Sequence, residues 1–436
     1  MYNNYEVITV ETWHFGSDND ELVKLVLSGD KTATTSLYKE YIDEDEPLPK
    51  MGDTGILVFD NEKKACITKD TRVIVTEFKN ITADLAYLEG EGDKSIEYYK
   101  KVHTDIFKKI DKDFNDDSLV VFEIFEVIED LTKKRLDFAK TIVDNNMDLF
   151  GNNEHNIYEI NAGFNNDIFS VDEKFIIKIC TNDKLEDTFE EEYKYYSVNK
   201  DSKYLPKLYK YDNSKKVVNY VYEIIEKING KSLYYYWYKM TESQREECIK
   251  ELVKMLKSIH KIINSDINWV NYIKSKVKEC FNKTRKYFDL NNQKIILDSI
   301  NLYDKYLTDN RFSFIHNDFH FDNILYYNGN YYLIDFNDSM IAPFDYDLRI
   351  LYMCKDTPHK WANIEMDPHQ KKDDYKNIFK YIKKYYTELN SVKFLEERMI
   401  IYRILNDIEL LTKYNNQELK DNIIKYSSEL LEKNKL

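Results

Sequence analysis

The most constraining feature of the chain is the segment His316–Asn323, HNDFHFDN, followed by an apolar run that ends in LIDFND. Asp318 is placed to accept the proton of an attacking hydroxyl, and Asn323, five residues later, to ligate Mg²⁺. Asp335 closes an apolar strand, where a carboxylate can hold a metal that bridges phosphates. His316 precedes Asp318 by two and is expected to brace the loop backbone. A lone H-x-D recurs by chance. H-x-D-x-x-x-x-N followed within about a dozen residues by apolar-Asp-Phe is far more specific. The pattern predicts a metal-dependent phosphoryl-transfer centre, in which positioning and charge stabilisation carry most of the work.

The chain around this segment reads as two regions. Residues 1–130 show short runs rich in β-branched and aromatic residues: Gly55–Phe59, Ala65–Thr68, Thr71–Phe78 and Leu119–Ile128. Helical spacing is confined to Glu21–Ser28, ended by Gly29, and to Ser95–Lys109. From Leu131 the pattern changes to an amphipathic helix, then strands near Tyr158, Phe169, Phe175–Ile179 and Val217–Ile228. Long helical periods dominate from Glu242 onward. The strand-rich stretch Phe314–Phe336 interrupts them. The expectation is an α+β chain with a small β-barrel over 1–130 and a bilobal unit over 131–436. Its β-rich lobe spans about 131–230 and its helical lobe about 231–436.

Residues 135 to the end resemble the aminoglycoside phosphotransferase and choline kinase group. The resemblance implies a small-molecule kinase using ATP or GTP with Mg²⁺, in which Asn323 and Asp335 hold the metal. NAGFNNDIFSV resembles the group's nucleotide loop, with Gly163 allowing close backbone approach and Asn166 at the polar position. FIIKI places Lys178 on the next strand, as the lysine that pairs with the donor's phosphates. The helix DTFEEEYKYY offers Glu190, Glu191 and Glu192, of which Glu192 is taken as the lysine's partner. YEIIEKINGKSL resembles the hinge between lobes, with Glu226 to Ile228 facing the base edge and Gly230 allowing a turn. Asn317 stands where the group usually has Gly, and Asn337 stands where protein kinases have the Gly of DFG. Asp347 in PFDYDL is expected to brace the catalytic loop rather than touch substrate. Glu365, Asp367, Asp373 and Asp374 are candidates for a cationic acceptor.

ETWHFG, LVLSGDKTATTSL, PLPKMGD and AYLEGEGD, in that order, resemble the ASCH family, a PUA-like β-barrel. The resemblance implies a pocket carrying Lys31, Thr34 and Glu89. Thr34 would serve as nucleophile only if Lys31 were neutral enough to act as base. The alternative is that the set merely binds a ligand. Some family members deacylate modified cytidines and others are proposed to bind RNA.

Charge bears on that choice. Net charge is −15, and residues 1–130 carry 30 Asp and Glu against 15 Lys and Arg, so the remainder is balanced. Nucleic-acid affinity comes largely from Lys and Arg neutralising phosphates. Extended nucleic acid is therefore not an expected partner, whereas a single nucleoside stays open. The five scattered cysteines form no C-x-x-C pair, which fits a reducing cytoplasm. No apolar run reaches membrane-spanning length and the first residues lack a signal-peptide pattern. The acceptor is expected to be a small hydroxylated molecule: an aminoglycoside, amino alcohol, sugar or nucleoside. The other readings are a bifunctional nucleoside-processing protein and a non-catalytic regulator.

Overall fold

Two runs of β-branched and aromatic residues, Lys64–Glu77 and Leu119–Asp130, pair antiparallel along most of their length. Such side chains suit a half-buried pleated surface. The two strands expected over 65–68 and 71–78 are one strand, continuous through register shifts at Ile67/Thr68 and Asp70/Arg72. Bulges of this kind bend a strand and increase its twist, and the sheet curls as a half-barrel. Its order is Glu11–Trp13, Thr54–Val58, Lys64–Glu77, Leu119–Asp130, Ala33–Leu37. The first pair is parallel and the others antiparallel. The helix Asn19–Ser28 ends on Gly29, whose φ of 81° is the left-handed conformation that terminates helices. The helix Ile96–Ile110 starts on Ser95, whose side chain accepts from Tyr98 N–H. Phe78, Tyr99, Phe107 and Phe114 form one buried cluster, and Val23, Val26, Leu57 and Phe125 form another.

The computed structural model describes residues 11–16, 18–160, 166–182, 185–308, 310–362 and 365–435. Its contacts divide the chain into two compact units, residues 1–169 with 216–218, and residues 170–215 with 219–436. The helix Leu131–Asp144 groups with the first unit. Arg135 on it donates to the Lys64 carbonyl at 2.5 Å and pairs with Glu159, which also meets Lys63 at 2.5 Å.

In the second unit the strand Val221–Glu226 pairs antiparallel with Phe175–Cys180 on one side and Leu208–Asp212 on the other. The helix Glu186–Val198 follows the first of these. The remainder is mostly helical. The helices Glu242–Ile259, Trp269–Thr284, Leu395–Lys413 and Gln417–Lys433 pack on one continuous core that includes Trp237, Trp269, Ile401 and Ile404. Two small sheets are set among them: Phe312–Ile315 with Met340–Pro343, and Ile324–Tyr327 with Asn330–Leu333. These sheets carry the motif residues. Among the described residues, no helix is long and apolar enough to cross a membrane.

Candidate active site

The loop after Phe312–Ile315 begins with two backbone N–H groups, those of His316 and Asn317. Both donate to one carboxylate, Asp347, at 3.1 and 2.7 Å. Asp347 is fully buried and also meets His260 Nε2 at 2.8 Å. Asn317 has a φ of +67°, the region that Gly and then Asn tolerate best. The departure from Gly at this position is therefore the mildest one available. Arg349 holds the Asn317 carbonyl at 2.6 Å, and His316 reaches the Ile334 carbonyl at 2.9 Å while its Nδ1 accepts from Asp318 N–H.

Asp318, fixed this way, presents a partly exposed carboxylate. His320 Nε2 lies 3.2 Å from its Oδ2, and the Asn323 amide nitrogen donates to the same oxygen at 3.0 Å. Burial pushes the Asp318 carboxyl up, but the His320 hydrogen bond and the charges of His320, His316 and Arg349 outweigh it and bring the pKa down to about 2. Asn323 is buried, and because its nitrogen faces Asp318 its carbonyl oxygen points elsewhere.

Lys178 sits on the strand Phe175–Cys180 and is almost fully buried. Of the three glutamates on the following helix, Glu192 meets it at 2.5 Å with no exposure of its own. Glu190 and Glu191 face out and pair with Lys194. Lys178 also lies 3.8 Å from Asp335 and 3.5 Å from Asn337 Oδ1. Burial pushes its ammonium down, but the carboxylates of Glu192 and Asp335 outweigh this and keep it charged. Asp335 has a φ of +65° and an exposed carboxylate that accepts from Asn337 at 3.0 Å. A non-glycine residue in this region is strained, and strain of this kind collects at functional sites.

Among the described residues no cluster of three or more His, Cys, Asp or Glu could hold a metal ion on its own. Mg²⁺ usually takes one or two protein oxygens and completes its shell with phosphates and water. The Asp335 carboxylate and the Asn323 carbonyl are oxygen donors of that kind. Asp338, half-buried, has its carboxyl raised by burial and by the charges of Asp318 and Asp335.

The remaining expectations fall unevenly. Gly163 lies outside the described residues. Asn166 is buried, and among the described residues its Oδ1 has no partner. Glu226 closes its strand, giving its N–H to the Lys207 carbonyl, and Ile228 follows in the irregular stretch beyond. Gly230 is needed for space rather than for a turn, since a Cβ there would come within 2.8 Å of the Tyr326 carbonyl. Of the candidate acceptor acids, Asp374 is paired with Arg245 and Glu365 accepts from the Tyr235 hydroxyl. His320 was not singled out from the sequence, and Asn337 was noted only for standing where protein kinases have Gly. Each stands within three residues of a motif aspartate or asparagine, which is the only signal the sequence carries for them.

The first unit holds its own site, a cavity of about 980 Å³, at the upper end of the range for small-molecule pockets. Lys31, 1% exposed, is gripped by Glu89 at 2.5 Å and Glu91 at 2.6 Å. Burial pushes its ammonium down, but Glu89 and Glu91 outweigh this and hold it charged. The neutral lysine required of a base is therefore absent from this arrangement. Thr35 donates to Glu89 at 2.6 Å and shares a hydrogen bond with the Tyr99 hydroxyl at 2.9 Å. Thr34 lines the cavity too, but lies on the opposite face of the strand Ala33–Leu37, opposite Glu123. Burial and the charge of Asp70 raise the Glu123 carboxyl to about 7. Thr35 was legible in principle: it shares the strand face of Ala33 and Leu37, which places it inward.

A buried lysine–glutamate pair beside a small sheet, an Asp–Asn loop and a strand-end aspartate in a helical unit define a small-molecule kinase. Residues 11–129 match the family model of the ASCH domain, and residues 156–367 match that of the phosphotransferase enzyme family. The two matched regions follow one another along the chain, the ASCH-domain match first and the phosphotransferase-family match second. Among solved structures, protein EF3133 from Enterococcus faecalis is 31% identical, covering 28% of this chain and 79% of its own, at a TM-score of 0.26. The streptomycin–ATP ternary complex of APH(2")-IIa is 20% identical, covering 67% of this chain and 95% of its own, at a TM-score of 0.48. The GDP and kanamycin complex of APH(2")-IIia is 14% identical, covering 68% and 98%, at a TM-score of 0.49. Comparison with curated proteins gave no match.

Proposed function

We propose that the chain transfers the γ-phosphoryl of ATP or GTP to a hydroxyl of a small molecule, with Mg²⁺. The observation that carries this reading is Asp318, held ionised by His320 on a loop pinned by Asp347, with Asn323 bonded to the same carboxylate. Asp318 accepts the hydrogen bond of the acceptor hydroxyl and orients it for attack. Lys178, kept charged and aimed by Glu192, steadies the donor's phosphates. Asn323 and Asp335 would hold Mg²⁺, which supplies charge neutralisation between the phosphates when bound. Asn166, Glu226 and Ile228 are assigned to the donor nucleotide.

Asp318→Ala is expected to bind nucleotide with unchanged affinity and to lose turnover by about 10²-fold or more, the cost of a nucleophile no longer held in place. Turnover within tenfold of the parent, read by nucleotide consumption in a panel of hydroxylated metabolites and antibiotics, would remove Asp318 from this role.

The cavity of the first unit favours a second activity or binding role there. Its wall carries a lysine already neutralised by two carboxylates, so it is suited to an uncharged nucleoside more than to a phosphate chain. The full chain incubated with acylated cytidines tests deacylation. Absence of free cytidine products would leave the cavity a binding site only.

A further inference from the structure

Glu223 stands in the middle of the strand Val221–Glu226 and has no exposure at all. Its register partners are Lys178 on one side and Tyr211 on the other. Residues opposite each other in an antiparallel sheet present their side chains to the same face. Tyr211 stacks on Tyr193 of the helix Glu186–Val198, so that face lies under this helix. The groups around Glu223 are thus Lys178 and Tyr211 from the strands, and Glu192 and Tyr196 from the helix, with Asp335 next to Lys178. Among the described residues neither Glu223 oxygen has a hydrogen-bond partner, and the Tyr196 hydroxyl has none either.

An ionised carboxylate buried without partners is so unfavourable that the group takes up a proton instead. Burial, then the charge of Glu192, drive the Glu223 carboxyl well up, with only Lys178 opposing. The protonated form also makes sense for the site. One ammonium already faces Glu192 at 2.5 Å and Asp335 at 3.8 Å. A third carboxylate there would set uncompensated negative charge behind the place the donor's phosphates must occupy.

We propose that Glu223 is a positioning residue for the phosphoryl donor: held as a neutral acid against Lys178, it keeps the Lys178–Glu192 pair in charge balance so that the ammonium can meet the donor's phosphates. This rests on the kinase reading above.

The test is calorimetric titration of the full chain with Mg·ATP and Mg·GTP, from about pH 6 to about pH 10, for the parent, Glu223→Gln and Glu223→Leu. Near neutral pH, Glu223→Gln should bind within about twofold of the parent, since a neutral amide replaces a neutral acid of the same shape. As pH rises the parent should lose affinity by about fivefold or more, because the carboxyl ionises next to the phosphates, while both variants lose less. A flat parent profile overturns the proposal. So does an equal alkaline loss in the variants, or a tenfold loss in Glu223→Gln at neutral pH. Melting curves report whether each variant folds, and failure of both to fold also counts against it, because a neutral acid tolerates a neutral isostere. Lys178→Ala serves as control for the site. No nucleotide binding by the parent would defeat the kinase reading itself, whereas binding that ignores Glu223 would defeat only this inference.

Discussion

Asp318 is an aspartate whose neighbours have made it a poor base. Burial alone would raise its carboxyl, yet His320, His316 and Arg349 bring it to about 2. A group that weak takes little of a hydroxyl's proton before the new bond forms. On the proposed reading its contribution is orientation, which suits a loose phosphoryl-transfer transition state. The folded value is depressed, so Asp318 remains ionised as pH falls until close to that value. The parent's kcat/KM should therefore show no acid limb from Asp318 above about pH 4. His320→Ala removes the hydrogen bond that lowers the carboxyl, so the limb should move upward into the measurable range. A pH–rate profile unchanged by the substitution would deny His320 this part. The sequence made Asp318, Asn323 and Asp335 legible because one short loop and one strand end fix their spacing. His320 was not legible, since its partnership depends on how the ring turns, and turning a ring leaves no spacing behind. The same limit applies in the first unit. Thr34 and Thr35 are adjacent, and choosing between them requires the phase of a five-residue strand, which only Ala33 and Leu37 reveal.

At the scale of elements, the loop His316–Asn323 owes its shape to one carboxylate reaching across from the turn Phe344–Leu348. Asp347 takes two successive N–H groups of the loop, and Asp345 beside it makes paired contacts with Arg398 at 2.7 and 2.9 Å. The turn is thus anchored to the helix Leu395–Lys413 on one side and to the loop on the other. The loop's own requirement is local: Asn317 must hold a φ of +67°. Asn317→Gly should melt close to the parent and retain turnover, because Gly adopts this conformation freely. Asn317→Val should cost about 1–3 kcal/mol, since a β-branched residue is strained there. Chemical denaturation of the two variants checks this, and equal stabilities would mean that the loop relaxes to another conformation. The helices and most strands were legible from periodicity. The strand Leu208–Asp212 was not, because KLYKYD is too short and too charged to show alternation by itself. Its place is set by pairing with Val221–Glu226.

At the scale of the molecule, the chain has separate cores in its two units, one built on residues such as Phe78 and Phe107 and the other on residues such as Trp269 and Ile401. Charge separates them as well, since the acidic excess of the sequence lies within residues 1–130. Inside the first unit that excess has a structural consequence. Burial raises the Asp70 carboxyl to about 6, helped by the charge of Asp53, and burial raises Glu123 to about 7, helped by Asp70. Both folded values lie above the ordinary ones of an unfolded chain, so the folded unit binds more protons between them. Stability from these two groups is fully present below the unfolded values and is lost as pH rises through about 6 and 7. Two cores give reason to expect two calorimetric transitions. The one belonging to the first unit should rise in temperature as pH is lowered from about 8 to about 5. In the double variant Asp70→Asn, Glu123→Gln the groups no longer titrate, so this transition should start higher at the alkaline end and respond less to pH. If the double variant kept the parent's full pH dependence, the two carboxyls would not be the groups that carry it, and the acidity of the cavity wall would have no bearing on the unit's stability.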